Sequence, residues 1–395
     1  MSTLTLVVRA QTSYGDLDEF NTITTAVPFL TISPDARAGA MGDVGVSTLP
    51  DGASNHWNPA KFAFIGEGNG LSLSYTPWMS RLVPDISLAY ISYYQSIGKR
   101  QTIATSLRYF SLGNITFRDD QGNYIGQFNP NEFAFDVSYA LQLSDNLSAG
   151  VALRYIYSNL TGGQFVQGFQ TRPGMSAAAD LSVFYLSDQF KAGDMKAKWS
   201  WGMNISNIGA KISYTESGNR DFLPANMRVG AGGFFEIDKY NKFNVHLELN
   251  KLLVPTPPQY EKDSTGQIVF NPDGTAKIAA GKDPNVPVIQ GVFQSFSDAP
   301  GGIKEEMQEI AISLGGEYWY NDQFAVRAGY FHEHESKGNR KYFTMGAGFK
   351  LNVFALDVAY LIPATKTVKS PLENTLRFTM TFDLQNLFTD EEIPN

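Results

Sequence analysis

Leu376-Arg377-Phe378-Thr379-Met380-Thr381-Phe382-Asp383-Leu384 is the stretch that decides the fold. Side chains alternate faces along a strand, so one face here is wholly apolar and the other wholly polar. The pattern recurs where Phe133, Phe135, Val137, Tyr139 and Leu141 alternate with Ala134, Asp136, Ser138 and Ala140. It returns in Leu147, Ala149, Val151, Leu153 and Tyr155, and again in Phe343, Met345, Ala347, Phe349 and Leu351. Scanned along the chain, this template gives fourteen candidate strands, near 70–78, 85–97, 101–113, 131–144, 147–160, 174–190, 196–214, 225–238, 241–253, 306–321, 323–336, 341–352, 353–363 and 372–384. Most approach the roughly 9–11 residues that cross a bilayer at a tilt. An even count lets an antiparallel sheet close with both termini at one end. The expected fold is all-β, a 14-stranded antiparallel transmembrane barrel.

The connections sort by parity. Short turns fall at Gly98-Lys99-Arg100, Ser144-Asp145-Asn146, Tyr320-Asn321-Asp322 and Leu351-Asn352, with middling ones at Gln189–Lys196 and Asp238–Asn241. Long connections lie near 112–130, 161–173, 215–224, 254–305, 335–340 and 362–371. Outer-membrane barrels have short periplasmic turns and longer outer loops, so both termini are expected in the periplasm and the long loops outside. A soluble sandwich has no reason to sort its loops this way.

Composition agrees with that expectation. Of 395 residues, 18% are charged and 13% aromatic, and the net charge is −8. A mildly acidic chain offers no general basis for binding nucleic acid. With no cysteine, a disulfide scaffold, a thiolate metal site and a cysteine nucleophile are all excluded. No apolar run approaches the roughly 18–20 residues of a spanning helix.

Arg108, Asp136, Arg154, Asp180, Arg228, Glu248, Glu317, Arg327, Asp357 and Arg377 all take the polar register. A charge facing lipid near the midplane costs roughly 2–4 kcal/mol, so these belong inside. Both signs occur, so salt bridges across a narrow lumen are the expected role. Tyr90, Tyr94, Tyr139, Tyr155, Tyr157, Trp199, Trp201, Tyr318, Tyr320 and Tyr360 are assigned to the outer face as interfacial aromatics. Ile91, Tyr93, Phe110, Ile156, Phe184, Phe234, Trp319, Phe331 and Leu361 are assigned to the lumen. Gly and Ala on the inner register near 225–238 and 341–352 indicate that something packs closely inside.

Residues 28–66 do not alternate and are rich in small and turn-forming residues. The stretch Ser33-Pro34-Asp35-Ala36-Arg37-Ala38-Gly39-Ala40-Met41-Gly42-Asp43, followed by Asn58-Pro59-Ala60, resembles the N-terminal hatch of long-chain fatty acid transporter barrels. More closely it is similar to the PorV/PorQ branch, outer-membrane components of the type IX secretion system. The resemblance covers the hatch and, in the barrel, length, strand count and loop parity. It implies a shuttle, not an enzyme. Such a protein associates with a very large translocon barrel, binds the C-terminal signal domain of secreted cargo and passes it to the cell-surface sortase. The alternative is a fatty acid transporter-like barrel for uptake of hydrophobic small molecules.

The remaining organisation follows. Leu4-Thr5-Leu6-Val7-Val8-Arg9-Ala10 reads as the tail of a signal peptide, giving 1–10 as a remnant and 11–69 as extension and hatch. The barrel covers 70–384, with outer loop 254–305, and an acidic periplasmic tail covers 385–395. Candidate partner-binding residues in the outer loops are Trp78, Met79, Ile268, Val269, Phe270, Val292, Phe293 and Phe296, because exposed apolar clusters mark contact surfaces. His332-Glu333-His334 has metal-like spacing but no third ligand. Ser96-Ile97-Gly98-Lys99 has Ser-x-x-Lys spacing without partner motifs. No catalytic set, metal site or cofactor is expected.

Overall fold

Alternating strands leave two unpaired edges unless the sheet closes, and here it closes. The computed structural model describes residues 20–79, 85–118, 121–163, 165–166, 169–215, 220–364 and 375–384. Fourteen long strands form the wall: β1 (Asn69–Pro77), β2 (Ile86–Ser96), β3 (Gln101–Leu112), β4 (Asn131–Gln142), β5 (Leu147–Asn159), β6 (Gly174–Leu186), β7 (Met195–Gly209), β8 (Asn226–Glu236), β9 (Asn241–Leu252), β10 (Ala311–Tyr320), β11 (Phe324–His332), β12 (Lys341–Leu351), β13 (Phe354–Pro363) and β14 (Leu376–Asp383). Each pairs antiparallel with its chain neighbours. β1 also pairs with β14, from Gly70 opposite Asp383 to Tyr75 opposite Phe378, which seals the barrel. A short strand, Phe190–Ala192, folds back on the start of β7.

All fourteen expected strands are present, with ends shifted by a few residues. Two shifts are larger: β7 ends at Gly209 instead of 214, and β10 starts late. The strand expected from 306 begins at Ala311, because Ile303–Gln308 is a helix with Glu305 and Glu306 in its first turn. Acidic residues suit a helix N-terminus and do not suit a lipid-facing strand. The turns at 97–100, 143–146, 187–194, 237–240, 321–323 and 352–353 lie at one end, with both ends of the wall chain. The expected signal remnant 1–10 and tail 385–395 lie outside the described residues.

The two faces differ as the burial cost requires. On β5, Leu153 is 69% exposed while neighbouring Arg154 is 5% exposed. The charged residues assigned to the lumen are all buried. Strand β2 corrects the reading. Ile91 faces outward at 44% exposed, and Tyr90 points inward at 1%. Tyr94 also points inward, 5.5 Å from the ring of Phe62, whereas Tyr93 shares the outward register. Ile86-Ser87-Leu88-Ala89-Tyr90-Ile91-Ser92-Tyr93-Tyr94 carries apolar groups on both registers, so alternation alone cannot orient it. Pairing orients it: Tyr90 lies opposite Arg108, whose guanidinium sits 5.5 Å from its ring inside the barrel.

The lumen is filled by the chain before β1. This segment runs through a 3-10 turn (Pro28–Thr31), α1 (Ala36–Gly39), α2 (Ser54–Trp57) and a second 3-10 helix (Pro59–Phe64). Asp35 caps α1, accepting from the Ala38 N–H at 2.9 Å, and its other oxygen accepts from Trp57 Nε1 at 2.7 Å. Hatch backbone lies directly on wall glycines. A Cβ on Gly315 would stand 2.5 Å from the carbonyl oxygen of Met41. One on the adjacent, outward-facing Gly316 would meet nothing closer than 3.8 Å. Backbone cannot rotate away as a side chain can. Gly315→Ala is therefore expected to cost about 1–3 kcal/mol by overpacking, and Gly316→Ala almost nothing. The temperature at which the folded, fast-migrating band is lost in a heat-modifiability gel measures both.

Candidate functional site

The Asn58-Pro59-Ala60 triplet fastens the hatch, and each residue has a physical reason. Asn58 is the N-cap of the second 3-10 helix, its side-chain oxygen accepting from the Ala60 N–H at 3.1 Å. Its amide donates to Val46 O within the hatch and to Val183 O of the wall, both at 3.0 Å. Pro59 occupies the first helical turn, where its missing N–H is not needed. Ala60 is small because β5 and β6 press on it: Ser148 Oγ donates to Ala60 O at 2.7 Å, and Ala60 N donates to Ser182 Oγ at 3.1 Å.

Ion pairs tie the hatch to the far wall. Arg37 of α1 grips Glu317 of β10 through Nη2 and Nε, at 2.9 and 3.1 Å, and its Nη1 pairs with Asp51 at 2.9 Å. Arg327 of β11 joins Glu317 at 2.6 Å and Asp357 of β13 at 2.6 Å. Arg377 of β14 pairs with Asp43 at 3.0 Å. Glu248 of β9 accepts from the N–H groups of Gly45 and Val46 at 2.8 and 2.9 Å. Arg108 donates to Leu30 O at 2.6 Å and contacts His56. Arg154 bridges Asp136 and Asp180 within the wall. Buried charges persist only when paired and hydrogen-bonded, and these are. They hold the interior together. Among the described residues no cluster of three or more His, Asp or Glu could hold a metal ion.

The hatch divides the lumen. Toward the short-turn end lies a cavity of about 710 Å³, lined by Arg37, Pro50, Asp51, Tyr94, Phe234 and Trp319 among others. Toward the long-loop end lies one of about 440 Å³, lined by Trp57, Arg228, Glu248, Phe331, Lys337 and Tyr342 among others.

The chain between β9 and β10 builds the long-loop end. Gln259–Tyr260 pairs with Ile278–Ala280, and bridges Lys262 to Ile268 and Phe270 to Ala276 extend this into a small β arm. Asp263 and Asp273 shape its turns, accepting from Thr265 N and Thr275 N at 2.8 and 2.9 Å. Ile268 and Phe270 stand on the arm at 42% and 63% exposed, with Val269 half-buried between them. Helices α3 (Val288–Gln294) and α4 (Ile303–Gln308) follow. Phe293 and Phe296 are exposed, whereas Val292 packs on the cluster of Ala225, Leu253 and Val254. Trp78 is half-buried against the cluster containing Phe29 and Phe110, and Met79 follows it with a φ of 51°. The expected patches are thus apart, with Trp78 anchored on the hatch side and the arm standing free.

A charge cluster that sequence reading missed clamps the base of this loop. Lys251 pairs with Glu306 and Glu309, and Lys337 pairs with Glu305 and Glu309. Asn21 reaches in to Glu305 at 3.0 Å. Asp298 is buried beside them, accepting from Thr256 N at 3.2 Å. Burial, with Glu306 and Glu309 nearby, pushes its carboxyl up to about 6. Its folded pKa therefore exceeds the unfolded value near 3.9, and between these values the folded state binds more protons. This contribution to loop stability grows as pH falls from 7 toward 4. Protection from hydrogen exchange across 254–310, taken relative to the intrinsic rate at each pH, is expected to rise between pH 7.5 and 5.5, and Asp298→Asn to flatten that rise.

Comparison with known proteins gives a family. No curated protein sequence matches the chain. Among solved structures, the Pseudomonas putida toluene transporter TodX is similar at 11% identity and TM-score 0.48, covering 87% of this chain and 95% of that one. The Ralstonia pickettii toluene transporter TbuX is similar at 12% and 0.43, covering 89% and 97%. A Pseudomonas aeruginosa FadL homologue is similar at 11% and 0.41, covering 92% and 99%. The family described as type IX secretion system protein PorV matches residues 16–259, which take in the hatch, nine wall strands and the root of the long loop. With more than half its length matched, the chain belongs to the PorV family and is an outer-membrane component of the type IX secretion system.

Proposed function

We propose that this protein is a cargo shuttle of the secretion system, with its long loops facing outward and both termini in the periplasm. It receives the folded C-terminal signal domain of a secreted protein beside the large translocon barrel. It then delivers that cargo to the cell-surface sortase. The observation carrying this reading is the pairing of a fastened lumen with a free apolar arm. The hatch is held by Arg37–Glu317, Arg377–Asp43 and the Asn58 bonds, so the interior offers no ready conduit. The arm presents Ile268 and Phe270, and α3 adds Phe293, with Phe296 just beyond it. An extended arm of this kind can add its edge to a β-rich partner while alternate side chains fill pockets. Trp78 and Met79, lying apart from the arm, are assigned a supporting contact.

Uptake of hydrophobic molecules is the second reading, favoured by the two cavities flanking the hatch. Their linings mix charged and apolar groups, which suits water as well as an apolar solute. A mild-detergent pull-down of the tagged protein from its native outer membrane separates the readings. Recovery of a very large barrel and of exported proteins sharing one C-terminal domain is expected. Recovery of the protein alone, carrying bound lipid, would overturn the shuttle and favour uptake.

A further inference from the structure

Helix α4 presents a face that the arm and the hatch do not use. Ile303 and Met307, four residues apart on one side of it, are 84% and 64% exposed. The opposite side carries Glu305 and Glu306, committed to Lys337 and Lys251. The helix is therefore held in a fixed rotation, with its apolar pair turned away from the clamp. Lys304, exposed beside Ile303, forms no ion pair or hydrogen bond among the described residues.

What this face meets follows from where the helix sits. On β9 the outward register runs Phe243, Val245, Leu247 and Leu249, each exposed to lipid at 37–49%. Lys251 is next in that register yet buried, because Glu306 and Glu309 close over it and the Phe296 ring stands 6.0 Å away. The base of the loop thus meets the outward register of β9 at the rim, while Glu309 and Lys337 of the clamp turn toward the long-loop cavity. The chain leaves α4 and reaches Ile312 and Leu314, lipid-facing at 41% and 50%, within a few residues. The exposed apolar belt of β10 at Ile312 and Leu314 thus comes within a few residues of Met307 and Ile303, with half-buried Ile310 between them.

We propose that α4 is an interfacial anchor, its Ile303–Met307 face seated in the head-group boundary of the bilayer beside β9 and β10. Apolar faces of surface-lying helices sink about 5–10 Å into that zone. Lys304 then stands where a long basic side chain meets lipid phosphate. The anchor fixes the root of the arm relative to the membrane plane, so the arm approaches partners from one direction. The placement requires only that the barrel spans the outer membrane, and is independent of what the arm binds.

The absence of cysteine makes the test direct. Ile303→Cys and Met307→Cys carry a bimane label in vesicles of phosphatidylcholine brominated high on the acyl chains. Asp273→Cys at the arm turn is the aqueous control and Leu314→Cys the lipid control. Bimane at 303 and 307 is expected to be quenched by brominated lipid as at 314. Its quenching by iodide should be about threefold or more below that at 273, as immersion in the interface requires. Iodide quenching equal to that at 273, with no effect of bromine, would overturn the anchor. So would shielding that appears only after a purified protein partner is added, since that marks a protein interface. Migration of each variant as a heat-modifiable band confirms that the barrel is folded.

Discussion

Glu317→Ala is expected to unlock the hatch. Its carboxylate is fully buried and binds Arg37 of the hatch, Arg327 of the neighbouring strand and the amide of Asn244. Removing it leaves two guanidinium groups facing an empty site, with Asp51 and Asp357 as their remaining carboxylates and Leu49 O as a further acceptor for Arg37. Breaking a buried pair from one side typically costs about 3–5 kcal/mol, because the remaining charge is stranded away from water. The cost falls at the junction between plug and wall. Heat-modifiability should shift to lower temperature, and planar bilayers should show transient conductance above that of the native protein. Arg37→Ala should do less to the wall, since Arg327 still holds Glu317 at 2.6 Å. Arg100→Ala is the surface control: its partner Asp145 is largely exposed, and such pairs contribute little. A silent Glu317→Ala protein with unchanged melting would mean that the glycine contacts and Asn58 hold the hatch without the ion pairs.

The contrast between that network and strand β2 shows what a sequence reveals here. Leu376–Asp383 alternates cleanly because lipid and lumen impose opposite demands on neighbouring positions, and each demand costs several kcal/mol when violated. The same pressure placed Glu317, Arg327 and Arg377 inside before any partner was known. On β2, Tyr90 and Ile91 are both apolar enough for either face, so only pairing with β3 chooses between them. The Asn58-Pro59-Ala60 triplet marked a hatch, yet its bonds to Val183 and Ser182 join residues more than a hundred positions apart. The clamp of Lys251 and Lys337 on Glu305, Glu306 and Glu309 was hidden for the same reason. Its charges look like an ordinary solvated run until the loop folds back.

The second large effect is expected at the arm. Ile268→Asp with Phe270→Asp should abolish secretion while leaving the barrel intact. Both residues lie outside the wall on a small β arm whose turns are set by Asp263 and Asp273, so local folding does not depend on them. Large apolar residues at the centre of an interface often contribute about 2 kcal/mol or more each, roughly a thirtyfold loss of affinity per site. A buried carboxylate in place of each adds desolvation to that loss. Cargo carrying the C-terminal signal domain should accumulate in the periplasm, with heat-modifiability of the variant unchanged. Phe293→Asp extends the test to α3, where the ring is 73% exposed. Uptake of a hydrophobic solute through the barrel would be indifferent to all three changes, since none touches the hatch or either cavity. Normal secretion by the double variant would remove the arm from the shuttle and leave the rim around Trp78 as the surface to test.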